Sequence, residues 1–152
     1  IDRIHAAGFR VTIETEPGNT LLRRPAEVLE FFAALGRPGK VSFTWDVQNM
    51  WQTGTFPTIQ AYRELRPVLG MLHVKGGRAE RPGGPLVWAS SLQDASWPVA
   101  QIVSAAVAEG ASPVVCLNPS HGRKPPEGYS WSAEDYLRDI RFLRKILGRQ
   151  SS

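Results

Sequence analysis

VSFTWD, residues 41–46, alternates Val41, Phe43 and Trp45 with Ser42, Thr44 and Asp46. A strand repeats its side-chain direction every second residue, so this run predicts a β-strand with one apolar and one polar face. Asp46 ends it on the polar face. Three other runs are built the same way. In VTIET (11–15), Val11 and Ile13 oppose Thr12 and Glu14. In MLHVK (71–75), Leu72 and Val74 oppose His73 and Lys75, and in VVCLN (114–118), Val115 and Leu117 oppose Cys116 and Asn118. Laid side by side, these strands bring Glu14, Asp46, His73 and Asn118 to one rim. Two carboxylates, an imidazole and an amide oxygen are the donor types of a divalent-metal site.

Helical patterns separate the strands. PAEVLEFFAALG (25–36) has Pro25 in a first-turn position, apolar residues at helical spacing, and Gly36 as a stop. TIQAYRELRPVLG (58–70) carries Ile59, Tyr62, Leu65 and Leu69, with Pro67 set to shorten or kink it. SWPVAQIVSAAVAEG (96–110) opens at Pro98 and ends at Gly110, and SAEDYLRDIRFLRKILG (132–148) shows Tyr136, Ile140, Leu143 and Leu147 on one face. Residues 1–8, IDRIHAAG, read as the tail of a helix closed by Gly8. A helix tail followed by four strand–helix units predicts an α/β fold with parallel pairing and right-handed crossovers. Two architectures satisfy it, a doubly wound open sheet or half of an eight-stranded barrel. An open sheet buries both faces under helices, which suits Glu14, Asp46 and His73 badly. A (β/α)8 barrel places such residues at the C-terminal rim of its strands. GGRAERPGG (76–84) is a long loop rather than a phosphate-binding glycine fingerprint, which weakens a nucleotide-binding reading.

Composition sets the outer bounds. The chain has 152 residues, 42% hydrophobic and 21% charged, which suits one soluble domain spanning 1–152 with a core of its own. No apolar stretch approaches the roughly 20 residues that cross a bilayer, so no membrane is expected. The start at Ile1 shows no signal-peptide pattern, and the absence of an initiator Met suggests a piece of a longer protein. Cys116 is the single cysteine, which excludes an internal disulfide framework and fits a reducing, cytoplasmic setting. The net charge of +4 raises the question of nucleic acid. The basic residues are scattered, however, and the densest group (Arg138, Arg141, Arg144, Lys145) lies on an amphipathic helix as a solvated face, so anionic small molecules are equally compatible.

The series IETEPG (13–18), TWDVQN (44–49), LHVKGG (72–77) and LNPSH (117–121) resembles the xylose isomerase-like TIM barrels of the sugar phosphate isomerase/epimerase superfamily. Members typically carry a strand-end Glu, an Asp-x-x-His, a His-x-Lys-Asp and a final Glu in a Leu-Glu-Pro-His context. The resemblance covers essentially the whole chain and matches the C-terminal half of such a barrel. It implies that Glu14, Asp46 and His73 are three of four ligands to one divalent metal ion (Mn, Mg, Co or Zn), with Asn118 at the fourth position. It also implies an isomerase or epimerase of carbohydrate metabolism, acting on a sugar, sugar phosphate or polyol by proton transfer beside a carbonyl, through a metal-stabilised enediolate. Glu14 would be the acid/base and Lys75 a catalytic group on the same face. Asn49, Trp51, Arg78 and His121 are the substrate-binding candidates, with Glu16 and Arg81 nearby.

Departures from the family pattern matter to that reading. Asn118 stands where the family has Glu, and an amide cannot serve as the second base. His121, just beyond it, is a candidate for a displaced base or ligand. Asn49 replaces the His of Asp-x-x-His, and Gly76 replaces the acid after His-x-Lys. The competing expectation is therefore a catalytically impaired barrel that binds a carbohydrate-like ligand without turnover. An abasic-site nuclease would need more ligands than His5, His73 and His121 supply. Half a barrel also leaves two open strand edges, which predicts a homo-oligomer or pairing with the missing half.

Overall fold

The computed structural model describes residues 1–18, 20–87, 89–118 and 132–148. Their elements run α1 (Asp2–Ala6), β1 (Val11–Glu14), α2 (Pro25–Leu35), β2 (Val41–Asp46), α3 (Val47–Gln52), α4 (Ile59–Leu65), β3 (Leu69–Val74), α5 (Val99–Ala108), β4 (Val115–Leu117) and α6 (Ala133–Ile146). All strand pairs are parallel and the spatial order is β1-β2-β3-β4, the same as the chain order. A doubly wound sheet reverses its strand order at a switch point, and none occurs among the described residues. Unbroken sequential order is how a barrel is built.

One face of the sheet holds the core. Phe43, Trp45, Leu72 and Val74 are fully buried against Val28 and Phe32 of α2, Leu65 of α4, and Ile102, Val103 and Ala106 of α5. The opposite face is polar, with the hydroxyls of Thr12 and Thr44 hydrogen-bonded across β1 and β2. That division is what the alternation predicts.

The helix boundaries follow local chemistry. Glu27 accepts hydrogen bonds from the backbone N–H groups of Arg23 and Arg24 at the start of α2, and Gly36 closes the helix in the left-handed conformation. Thr58 caps α4, which stops at Leu65, short of Pro67. Strand β3 then begins at Leu69, two residues before the predicted run. Its pairing with β2 slips by one residue, Phe43 opposing Leu69 and Thr44 opposing Met71. Gly70 is the extra residue, and a Cβ there would run into the Ser42 side chain. The bulge changes the parity of β3, so that both Leu69 and Leu72 are buried while His73 stays on the polar face with Asp46.

At the other end of the sheet, α1 is tied down by Asp2, which accepts from Arg37 Nε at 3.0 Å and Lys40 Nζ at 2.9 Å. The hydrogen bond from Lys40, then that from Arg37, lowers the Asp2 carboxyl from 3.8 to about 2. Because the folded-state value is depressed, this tether is present above the ordinary carboxylate range and is lost as pH falls through about 2. A carboxyl-carbon NMR titration should therefore find the Asp2 midpoint near 2 in the native chain. In Lys40→Met it should move up toward the ordinary value.

Candidate metal centre

Asp46 organises the rim. Its Oδ1 accepts from the backbone N–H groups of Gln48 at 3.0 Å and Asn49 at 2.9 Å, capping α3. With Oδ1 engaged, Oδ2 is left to face the polar side of the sheet. It lies 3.3 Å from His73 Nδ1 and 2.7 Å from Lys75 Nζ. His73 Nδ1 also stands 2.9 Å from Glu14 Oε1. Donor atoms of Glu14, Asp46 and His73 all lie within 4.8 Å of one another, so three adjacent strands contribute one side chain each to a group that could hold a metal ion.

The donor set fits a small divalent cation. A bare imidazole lone pair facing two carboxylates is repulsive, so either a proton or a cation belongs between them. Glu14, Asp46 and His73 would hold such a cation through carboxylate oxygens and an imidazole nitrogen, the donor types that suit it. The site is also graded in exposure: the Asp46 side chain is fully buried, His73 is 15% exposed and Glu14 33%. Nε2 of His73 is buried without a hydrogen-bond partner among the described residues.

The other expected site residues divide. Lys75 joins the cluster through Asp46, and its ammonium also donates to Asn49 Oδ1 at 3.3 Å. Asn49 is 5% exposed, with its amide donating to the Thr15 carbonyl at 3.0 Å and to Glu16 at 3.4 Å. Both of its amide hydrogens and one lone pair of Oδ1 are thus engaged within the protein. Trp51 is also engaged within the protein. It is 2% exposed, its indole N–H donates to the Gly84 carbonyl, and its ring packs edge-on against Phe56. It is a core side chain that anchors a loop, because α3 turns it inward. Arg78 is exposed on the loop after β3. Asn118 is exposed at the end of β4, and its backbone N–H donates to Val74. No hydrogen bond joins its side chain to the cluster among the described residues. His121 lies outside the described residues.

Sequence reading missed two features. Helix α3 is only six residues long, too short for a periodicity to register, although Asp46 ahead of VQNMWQ is an N-cap signal. The second is Cys116, which the β3–β4 register sets opposite His73. Burial raises its thiol pKa, and the Glu14 and Asp46 carboxylates raise it further, while Lys75 pulls the other way.

No protein-family model matches the chain, and no curated protein matches it by sequence. Among solved structures, it superposes on a xylose isomerase-like TIM barrel protein from Mycobacterium smegmatis, in complex with magnesium, with a TM-score of 0.73 at 16% identity. The match covers 96% of this chain and 46% of that one. The fold is that of a xylose isomerase-like TIM barrel. The chain spans about half of the barrel protein it matches, in keeping with four strands out of eight. In such a barrel the polar sheet face is the interior, and the cluster stands at the C-terminal ends of the strands, where barrel sites are built.

Cys116 gives this geometry a simple chemical check, since it is the sole thiol. Glu14→Gln removes a charge that holds the thiol pKa up, so alkylation of Cys116 by iodoacetamide at pH 8 should accelerate by roughly two- to three-fold. Lys75→Met should slow it.

Proposed function

We propose that this chain carries the metal-binding part of a divalent-metal-dependent isomerase or epimerase acting on a sugar, sugar phosphate or polyol-derived hydroxy-carbonyl compound. The observation that carries the reading is the convergence of Glu14, Asp46 and His73 from the ends of three adjacent parallel strands. The magnesium in the M. smegmatis barrel supports a hard divalent cation here, and Mn, Mg, Co and Zn all suit the donor types.

A bound cation supplies positive charge toward which a substrate carbonyl oxygen is polarised. The residues divide the remaining work. Asp46, buried and committed to the α3 cap, serves as a fixed ligand. Glu14, the most open of the three, is the carboxylate suited to take a proton from the carbon beside the carbonyl. Delivery of a proton to the neighbouring carbon, with the hydroxyl proton passing to the former carbonyl oxygen, is aldose–ketose isomerisation, and delivery by a second acid to the opposite face of the same carbon is epimerisation. Lys75 offers an ammonium to an anionic oxygen of the substrate, and exposed Arg78 a second anion contact.

A second reading, a barrel that binds a carbohydrate-like ligand without turnover, is favoured by Asn118. An exposed amide, with no hydrogen bond to the cluster among the described residues, leaves the site with one carboxylate base in place of two. Strands β1 and β4 are the sheet edges of the described residues, and a complementary half-barrel would supply the remaining strands and substrate contacts.

The intact gene product, purified without chelator, should carry near-stoichiometric Mn, Mg, Co or Zn by elemental mass spectrometry, and Glu14→Gln should lose it. No metal in either protein after dialysis against excess Mn²⁺ would sink the enzyme reading. Asn118→Glu, by adding a carboxylate, should tighten Mn²⁺ binding by about ten-fold or more. A gain in turnover alongside would mark the native site as a weakened one.

A further inference from the structure

The Asn49 side chain connects parts of the rim that the sheet itself does not connect. β1 and β3 are not neighbours, since β2 lies between them. Glu14 ends β1 and Lys75 follows β3, so no ladder hydrogen bond sets their separation. Asn49 reaches both sides. Its amide N–H group donates to the Thr15 carbonyl at 3.0 Å and to Glu16 Oε2 at 3.4 Å, while its Oδ1 accepts from Lys75 Nζ at 3.3 Å. Its own backbone is fixed by the Asp46 cap at 2.9 Å. An amide alone among side chains of this size offers donor and acceptor together at fixed separation. The residue is 5% exposed, so these bonds are poorly replaced by water.

We infer that Asn49 is a positioning residue, a clamp that sets the Glu14 strand end and the Lys75 ammonium relative to Asp46. Its neighbours on α3 brace the same rim. Gln48 Nε2 donates to the Gly76 carbonyl at 2.7 Å, and Trp51 to that of Gly84 at 2.8 Å. Gly76 has no room for a side chain, since a Cβ would strike the Ser90 carbonyl, so the backbone leaving Lys75 is held closely. Trp97 adds a hydrogen bond to the Lys75 carbonyl at 3.1 Å. The Lys75 main chain is thus fixed by the loop, and the direction of its ammonium is left to Asp46 and Asn49.

The role of Asn49 toward Lys75 stands on these contacts alone. Its effect on metal affinity rests on the metal-site reading above, and two readouts keep the two apart. Competitive acetylation of the intact gene product, read by peptide mass spectrometry, follows Lys75 against Lys40 and Lys145 as internal standards. Isothermal titration with Mn²⁺ follows the site. Asn49→Ala should label Lys75 about three-fold faster with the standards unchanged, and weaken Mn²⁺ by about ten-fold. Asn49→Asp keeps an oxygen for Lys75, so its Lys75 rate should stay at or below that of the native protein. A purely structural role would not give that rescue. An unchanged Lys75 rate in a folded Asn49→Ala overturns the inference, and so does faster Lys75 labelling in Asn49→Asp, which decides the matter if the alanine variant does not fold. Absence of Mn²⁺ binding by the native protein counts against the metal reading alone.

Discussion

The two oxygens of Asp46 do different jobs, and the rim of the sheet depends on that division. Oδ1 caps α3 through Gln48 and Asn49, and Oδ2 meets His73 and Lys75. A capping carboxylate loses its rotational freedom, so the second oxygen is aimed before any ligand arrives. The cap also places α3 directly against the end of β2. From there Gln48, Asn49 and Trp51 reach the backbone beyond β1 and β3. A six-residue helix would be marginal by itself. Here it is held at both levels, by its cap and by its buried side chains.

Charge explains how such a cluster is tolerated in a folded chain. Glu14 and Asp46 bring two negative charges to a partly desolvated rim, a costly arrangement without compensation. Lys75 at 2.7 Å from Asp46 supplies part of that compensation, and a proton or cation between His73 Nδ1 and the carboxylates supplies the rest. The Cys116 thiol, half-buried and opposite His73, has its pKa raised first by burial and then by the Glu14 and Asp46 carboxylates. The arrangement suits a cation and discourages an anion except near Lys75 and the loop that follows.

Register is the other constraint. A parallel sheet with a polar face needs every strand in phase, and a slip of one residue turns a ligand into the core. The bulge at Gly70 performs that phase correction for β3. It lets the strand start with Leu69 under the helices and still end with His73 over the polar face. The absence of a side chain at Gly70 is therefore a condition of the site five residues or fewer downstream, not merely of the strand.

Local residue pattern alone carries the alternation of strands and helices, their parallel sense, and the face on which Glu14, Asp46, His73 and Lys75 stand. These follow from side-chain periods of two and of about 3.6, which are local and therefore legible. The family resemblance of the strand-end motifs pointed to the same barrel that the structural superposition shows. Tertiary structure decided the rest. Strand order separates a barrel from a doubly wound sheet, and no local pattern encodes it. The roles of Asn49 and Trp51 turned on α3, whose inward rotation commits both side chains to the protein. The place of Cys116 opposite His73, with Asn118 beyond it and exposed, turned on the β3–β4 register. Hydrogen bonding and burial across long sequence separations set these outcomes, and a residue's type does not reveal which partner it will meet.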